Sequence, residues 1–268
     1  MRSLLRFYVQ SSLHVGFAVV ALTKITAHYR EISLANSFWL GVFCLTVFGY
    51  NLIKNSPLWW KKPLWPLDRL KVMSLLALAV AVMLLFPTDP WQWMVLLSIA
   101  LLSGFYTFPL RANYKNFRDR HGLKIYMVAA AWTLVSVFLP VFYSGDAFEY
   151  SLIYLLFSRL LFVLVATLPF ELRDLHADAV HLATWPQKYG IKGTKIRGTM
   201  VLMGFVGIEY KLVPDLDYFF LSLLMAVILV AFLWKSRTKQ SEFYSSFWVE
   251  SLPIVWWLLI EYFTLSTI

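Results

Sequence analysis

The stretch PFELRDLHADAVHLATWPQKYGIKGTK, residues 169–195, is the segment from which the fold of this chain is predicted. It follows an apolar run, residues 152–168, with the composition of a membrane helix. Glu171, Asp174 and Asp178 come next at spacings of three and four, which place them on one helix face if the helix continues past its proline. Three carboxylates so close to a membrane boundary repel one another unless a cation neutralises them.

The acidic and basic residues of this stretch are typical of a site that binds magnesium and phosphate. Hard divalent ions such as Mg²⁺ take oxygen ligands and often bridge a carboxylate to a substrate phosphate. The basic side chains that follow the acids suit phosphate oxygens: Lys188, Lys192, Lys195 and Arg197. The stretch therefore predicts a Mg²⁺–diphosphate site at a membrane surface. A solvated, charged loop between helices is the alternative, which ranks second because the acids keep a helical spacing and the bases form a separate block.

Composition indicates an all-α membrane protein. The chain has 268 residues, of which 60% are hydrophobic and 15% are charged, whereas soluble domains carry about 25% charged residues. Apolar runs close to the ~20 residues that cross a bilayer recur along the whole length. We predict one polytopic domain, residues 1–268, with cytoplasmic loops at about 51–68 and 171–195. The nine predicted spans are residues 12–28, 33–54, 69–87, 91–109, 122–143, 150–170, 196–212, 216–235 and 243–265.

The distribution of charge predicts the orientation of the bundle. The net charge of +9 would suit a nucleic-acid partner, but most of the 24 Lys and Arg residues lie in alternate connections between spans. The positive-inside rule then predicts an integral protein of the cell (inner) membrane with its N-terminus in the cytoplasm and its C-terminus outside. Such a cytoplasmic face favours anionic membrane lipids and anionic substrates rather than nucleic acid. Arg2 and Arg6 precede no small-residue cleavage site, so no removable signal peptide is expected.

Further polar residues lie at predicted helix ends. Asn51, Lys54 and Asn55 close the second span, where amide oxygens are weak Mg²⁺ ligands and helix capping is an equally good interpretation. Arg111 follows the fourth span and can bind phosphate. The alternative is that it is one of the positive charges that mark the cytoplasmic side of the membrane. Lys124 begins the fifth span.

One charge falls well inside a span. Arg159 needs a partner in lipid, and Glu209 or Glu250 are the acids that predicted spans provide. We expect a structural ion pair.

The chain resembles the UbiA superfamily of membrane prenyltransferases over roughly residues 45–200. The residues Glu171-Leu-Arg-Asp174-Leu-His-Ala-Asp178 are similar to the second family motif, DxxDxxxD, with Glu in the first place. Other similar segments are Ala183-Thr184-Trp185-Pro186, Lys62-Pro63-Leu64, Tyr106 to Arg111, and Lys124 before the fifth helix. The resemblance implies a bundle of about nine transmembrane helices, UbiA prenyltransferase-like, with two aspartate-rich loops.

The first family motif departs strongly from its pattern. Of the form NDxxDxxxD, it falls on residues 51–59, where Asn51 is kept but the three acids are replaced by Leu52, Asn55 and Trp59. Lys54 lies inside this segment and can pair directly with a diphosphate. Only one carboxylate cluster remains where the family has two.

The resemblance implies Mg²⁺-dependent transfer of a prenyl group from an isoprenyl diphosphate donor to a lipophilic, membrane-embedded acceptor. By this resemblance Glu171, Asp174 and Asp178 hold the metal, and the reaction involves Asp174, Asp178, Arg111 and Tyr106. The residues expected to hold the diphosphate are Asn51, Lys54, Asn55, Lys124, Lys188 and Lys192. A membrane terpene cyclase, or a non-catalytic lipid-binding or scaffold descendant, is the alternative because the first motif is lost. The pattern indicates no oligomeric state.

Overall fold

A computed structural model describes residues 2–61, 69–107, 122–146, 149–179, 182–213 and 215–266, with side chains throughout except at 2–3 and 55–61. Its described part is almost entirely helical and contains no β-strand. The helices in chain order are α1 (Arg2–Gln10), α2 (Leu13–Tyr29), α3 (Asn36–Lys61), α4 (Arg69–Leu84), α5 (Pro90–Thr107), α6 (Lys124–Thr133), α7 (Leu139–Ser144), α8 (Tyr150–Asp174), α9 (Trp185–Leu212), α10 (Leu216–Lys235) and α11 (Leu252–Ser266).

The predicted all-helical membrane class is confirmed. Each predicted apolar run falls on a helix, with α6 and α7 sharing the fifth run and the later part of α9 matching the seventh. By length and hydropathy, four helical segments of the described chain can each cross a membrane: Asn36–Lys54, Lys124–Ser144, Tyr150–Asp174 and Leu216–Lys235. Residues Leu4–Gln10 and Leu13–Tyr29 form a fifth candidate, bent by 58°. The number of nine spans stays a prediction.

Two π-helical segments interrupt the bundle, and each lies next to a proline. Residues Leu134–Phe138 join α6 to α7 shortly before Pro140, and residues Tyr244–Val249 lead into α11 shortly before Pro253. Proline donates no backbone hydrogen bond, and its ring collides with the carbonyl four residues earlier. Widening the preceding turn removes that collision, and such wider turns are frequent at functional sites. The second π segment ends directly before Glu250.

A buried ion pair ties the helices together at the centre of the bundle. Arg159 of α8 and Glu209 of α9 are both fully buried, and Arg159 Nη1 lies 3.1 Å from Glu209 Oε1. The guanidinium also faces two aromatic rings, with its Cζ 5.2 Å from the ring centroid of Tyr29 and 4.8 Å from that of Trp256. Of the two predicted partners, Glu209 is therefore the observed one, and Glu250 lies elsewhere.

Helix α9 begins with a short turn that is separate from its membrane part. The Gln187 side chain accepts a hydrogen bond from the Thr184 backbone N–H at 3.0 Å, which fixes the first turn. Gly190 then adopts φ 68° and ψ 172°, a conformation that costs an L side chain steric strain and that glycine reaches freely. The break is a kink that separates the short first part of α9 from its long second part.

Candidate functional site

One cavity of about 390 Å³ opens among α1, α3, α5, α6, α8 and the segment that leads into α11. Part of its lining consists of fully or almost fully buried apolar side chains, among them Phe162, Val163 and Val249. The charged side chains that line it are Arg6, Lys54, Lys124, Glu171, Arg173, Asp174, Glu242 and Glu250. The cavity therefore joins an apolar interior to an ionic region, as a ligand with a hydrocarbon chain and a charged head requires.

Helix α8 carries two of the predicted acids to the cavity wall. It continues past Pro169 and ends at Asp174, so Glu171 and Asp174 lie one turn apart on the same helix and both line the cavity. Because the helix ends there, Asp178 leaves the helical face and does not line the cavity. The predicted single face of three carboxylates is thus wrong for Asp178.

Each of the three acids is bonded within the chain. Arg173 donates to both carboxylate oxygens of Asp174, from Nε at 2.7 Å and from Nη2 at 3.0 Å. Lys124 Nζ donates to both oxygens of Asp178 at 2.9 and 3.2 Å. Glu171 accepts the backbone N–H of Trp185 at 3.2 Å. These bonds link α6 and the start of α9 to the acidic stretch.

Two of the three carboxylates predicted to hold magnesium, Glu171 and Asp174, line the cavity. Over the described ranges, no three His, Cys, Asp or Glu side chains lie together in an arrangement that could hold a metal ion. Magnesium, however, is commonly bound by one or two carboxylates together with substrate phosphates. Glu171 and Asp174, which line one cavity wall, fit that mode. Asp178 as a third ligand stays a prediction.

The other predicted site residues divide between the cavity and its surroundings. Tyr106, Lys54 and Lys124 line the cavity. Lys188 and Lys192 are exposed and are not part of its lining. The predicted residues outside the described part are Arg111 and the side chain of Asn55.

Asn51 lies away from the cavity in a buried hydrogen-bond network. Its Oδ1 accepts from Ser12 Oγ at 2.7 Å, and its Nδ2 donates to the Ser11 carbonyl and to Ser74 Oγ, both at 3.0 Å. Both polar atoms of its side chain are thereby engaged in joining the turn between α1 and α2 to α3 and α4. Its predicted diphosphate contact stays a prediction that this position does not support.

Lys195, from the predicted basic block, caps another helix. Its Nζ donates to the carbonyls of Trp234 and Ser236 at 2.7 and 2.8 Å, at the end of α10. Desolvation by burial lowers the pKa of this lysine, and the nearby charge of Arg237 lowers it further. Its ammonium therefore stabilises the C-terminal end of α10.

Arg173, Glu250 and Tyr50 are among the cavity residues that were not predicted as site residues. Arg173 lies between the acids of the second motif, and the positive charge of this stretch was attributed to the basic block that follows, which ends at Arg197. Glu250 and Tyr50 come from segments far apart in sequence, and the Tyr50 hydroxyl donates to Glu250 Oε1 at 3.4 Å. An acid inside an apolar run was the available signal for Glu250, but that signal suited an ion pair with Arg159 equally well.

Comparison with known proteins shows the fold. The chain matches no protein-family model and no curated protein. It is similar to a solved structure of a digeranylgeranylglyceryl phosphate synthase in membranes, with 15% identity, a TM-score of 0.57, and coverage of 97% of this chain and 98% of the other. At this identity the similarity concerns the fold alone, and it agrees with the predicted all-helical membrane bundle.

Proposed function

We propose that this protein is a UbiA-type membrane prenyltransferase, which moves a prenyl group from an isoprenyl diphosphate to a lipophilic acceptor. The observation that carries the proposal is the cavity in which buried apolar side chains meet Lys54, Lys124, Arg173, Glu171 and Asp174. The synthase with the same fold is named for a prenylated lipid, which agrees with this substrate class. The bundle is proposed to be a single domain, with its N-terminus in the cytoplasm and its C-terminus outside.

The cavity residues divide between the two ends of such a donor. The prenyl chain would lie against Phe162 and Val163, which are buried and apolar. The diphosphate would face Lys54, Lys124 and Arg173, whose positive charge stabilises the leaving group as the C–O bond breaks.

Aromatic rings would protect the allylic carbon. Tyr106 and Trp132 also line the cavity, and ring faces stabilise the positive charge that develops there. The apolar wall keeps water from that carbon.

Magnesium fits this arrangement. Glu171 and Asp174 would hold the ion, and Mg²⁺ would supply charge neutralisation at the diphosphate. Arg173 and Lys124 now bond Asp174 and Asp178, so binding of the donor would let both cations turn from carboxylate to phosphate oxygens.

The same pairs favour a second candidate, a non-catalytic lipid-binding protein. With Asp174 and Asp178 neutralised by the chain's own Arg173 and Lys124, the cavity can be stable without a metal or a diphosphate. In that case the cavity would bind an isoprenoid without breaking a bond. Substitution of the two aspartates would then leave function intact.

Release of diphosphate from farnesyl and geranylgeranyl diphosphate, with and without Mg²⁺, tests the proposal. The purified protein is assayed in detergent with membrane extract as the acceptor source. We expect Mg²⁺-dependent release that falls at least about 100-fold in Asp174→Asn, because the substitution removes charge stabilisation of the transition state.

Asp217→Asn is the matched control. Asp217 is exposed at the start of α10 and does not line the cavity, so its substitution should leave the rate unchanged. No release by the wild-type protein with either donor would refute the prenyltransferase proposal and favour the lipid-binding candidate.

A further inference from the structure

Glu250 is a buried acid that lines the cavity. The proposed binding and ionisation of the isoprenyl diphosphate donor give it no role. It is only 7% exposed and lines the cavity. Among the described residues, its carboxylate accepts a hydrogen bond only from the Tyr50 hydroxyl, at 3.4 Å. A nearly buried carboxylate with one long hydrogen bond retains most of its capacity to accept protons and hydrogen bonds.

The local backbone explains how this acid reaches the cavity. Glu250 follows the π-helical turn Tyr244–Val249, and its N–H bonds the Ser245 carbonyl at 3.3 Å, five residues earlier. The wider turn rotates the following side chains relative to a regular helix. Tyr50 lies on α3, next to Asn51. The hydrogen bonds of Asn51 tie α3 to α4 and to the turn before α2, and they hold Tyr50 in place.

The charges around Glu250 restrict what it can bind. Lys54 and Arg173 are the cations that interact with it electrostatically. Among the described residues, the Lys54 ammonium makes one long hydrogen bond, 3.4 Å to the Gln10 carbonyl. An anionic acceptor group would compete with the diphosphate for Lys54 and Arg173, and an ammonium would be repelled by Lys54. A neutral hydroxyl fits, since it donates to Glu250 and accepts from Tyr50.

We propose that Glu250 and Tyr50 bind the nucleophilic hydroxyl of the acceptor, an amphipathic alcohol or phenol, and that Glu250 takes its proton. This inference rests on the proposed prenyltransferase function and names its acceptor class. A lone pair of the acceptor oxygen forms the new bond to C1 of the prenyl group. The bond from C1 to the diphosphate oxygen breaks, and its electrons leave with the diphosphate. The hydroxyl proton passes to Glu250, which becomes a neutral carboxylic acid until water takes the proton.

Binding of the hydroxyl is tested without any turnover. Hexadecylglycerol and its dimethyl ether, which cannot donate, compete against radiolabelled hexadecylglycerol for the protein in nanodiscs. We expect the wild-type protein to prefer the alcohol by about tenfold or more, the usual scale of a hydrogen bond to a charged group. Glu250→Leu should reduce this preference to less than about twofold. Glu261→Leu, which removes an acid of α11 outside the cavity lining, should leave it unchanged. Equal binding of alcohol and ether by the wild type, or a preference that survives Glu250→Leu, overturns the inference.

Proton removal is tested by comparing two acceptors in Glu250→Gln. Transfer to hexadecylglycerol should fall about 100-fold or more, the scale of a general base. Transfer to a hexadecylphenol should fall much less, because a phenol loses its proton far more readily than an alcohol. Binding of geranylgeranyl thiodiphosphate, a slowly ionising donor analogue, should change less than about threefold.

Equal losses on both acceptors together with weakened donor binding would overturn the inference, since Glu250 would then serve only as a counter-ion for Lys54 and Arg173. If the wild type releases no diphosphate at all, the prenyltransferase proposal fails, and the alcohol–ether comparison alone decides whether the hydroxyl subsite exists.

Discussion

Two arginine–carboxylate pairs of helix α8 show how burial separates a structural role from a binding role. Arg159–Glu209 lies at the centre of the bundle with both side chains fully buried. Arg173–Asp174 lies at the cavity, where each side chain keeps 29% of its surface exposed. The same side-chain chemistry is thus enclosed near the middle of the helix and open to a ligand at its C-terminal end.

The number of partners that each carboxylate has decides which of the two arginines can exchange its partner. Glu209 also accepts hydrogen bonds from Ser158 and Ser222, so leaving Arg159 would break a whole network. Among the described residues, the Asp174 carboxylate accepts hydrogen bonds from its neighbour Arg173 alone, and a phosphate at the cavity can take over that guanidinium. A polar group in a membrane bundle is a candidate for binding when its present partners can be replaced at little cost.

The largest effect should come from breaking the enclosed pair. We expect Glu209→Ala to destabilise the protein by about 3–5 kcal/mol, because it leaves the Arg159 guanidinium buried without its counter-ion. Thermal inactivation and the yield of monodisperse protein in detergent measure the loss. The double variant Arg159→Met with Glu209→Leu should regain most of that stability, since both buried charges are gone.

Glu242→Ala is the control for this prediction. Glu242 pairs with Arg6 at 2.8 Å, and both side chains are more than half exposed, so its loss should have a far smaller effect. A Glu209→Ala protein as stable as the wild type would show that the interior pair does not hold the bundle.

A smaller loss of stability should follow from Asn51→Ala. The substitution leaves Ser12 and Ser74 without their buried partner and should cost about 1–3 kcal/mol. Because Asn51 does not line the cavity, affinity for geranylgeranyl thiodiphosphate should change less than about twofold. A marked loss of donor affinity at unchanged stability would instead support the diphosphate contact predicted from the sequence.

The sequence predicted the helices better than the site. Long apolar runs defined the spans because lipid requires about 20 apolar residues per crossing. Asp178 was misplaced because helical spacing says which side chains share a face but not where the helix ends. Glu250 was not predicted as a site residue because its position depends on a π turn. Arg173 was not predicted because its pairing depends on side-chain geometry. Arg173 and Asp174 are neighbours in sequence, but their pairing depends on the side-chain conformations, whereas the contact of Glu250 with Tyr50 joins segments far apart in sequence.

Loss of the partly exposed Lys124–Asp178 pair should have the smallest effect on stability but a clear effect on donor binding. Lys124 and Asp178 pair at 2.9 Å with 22% and 15% of their side chains exposed, so Lys124→Ala should cost little stability, about 1 kcal/mol. The lysine lines the cavity, and its loss should weaken binding of geranylgeranyl thiodiphosphate about tenfold.

Lys188→Ala is the matched lysine variant, exposed and outside the cavity lining, and it should change donor affinity less than about twofold. Titration of the analogue against each purified variant, with melting curves recorded in parallel, separates the two quantities. If Lys124→Ala melted far below the wild type and bound the donor normally, its pair with Asp178 would belong with the enclosed Arg159 pair. Lys124 and Asp178 would then belong to the structural interior of the bundle rather than to the binding cavity.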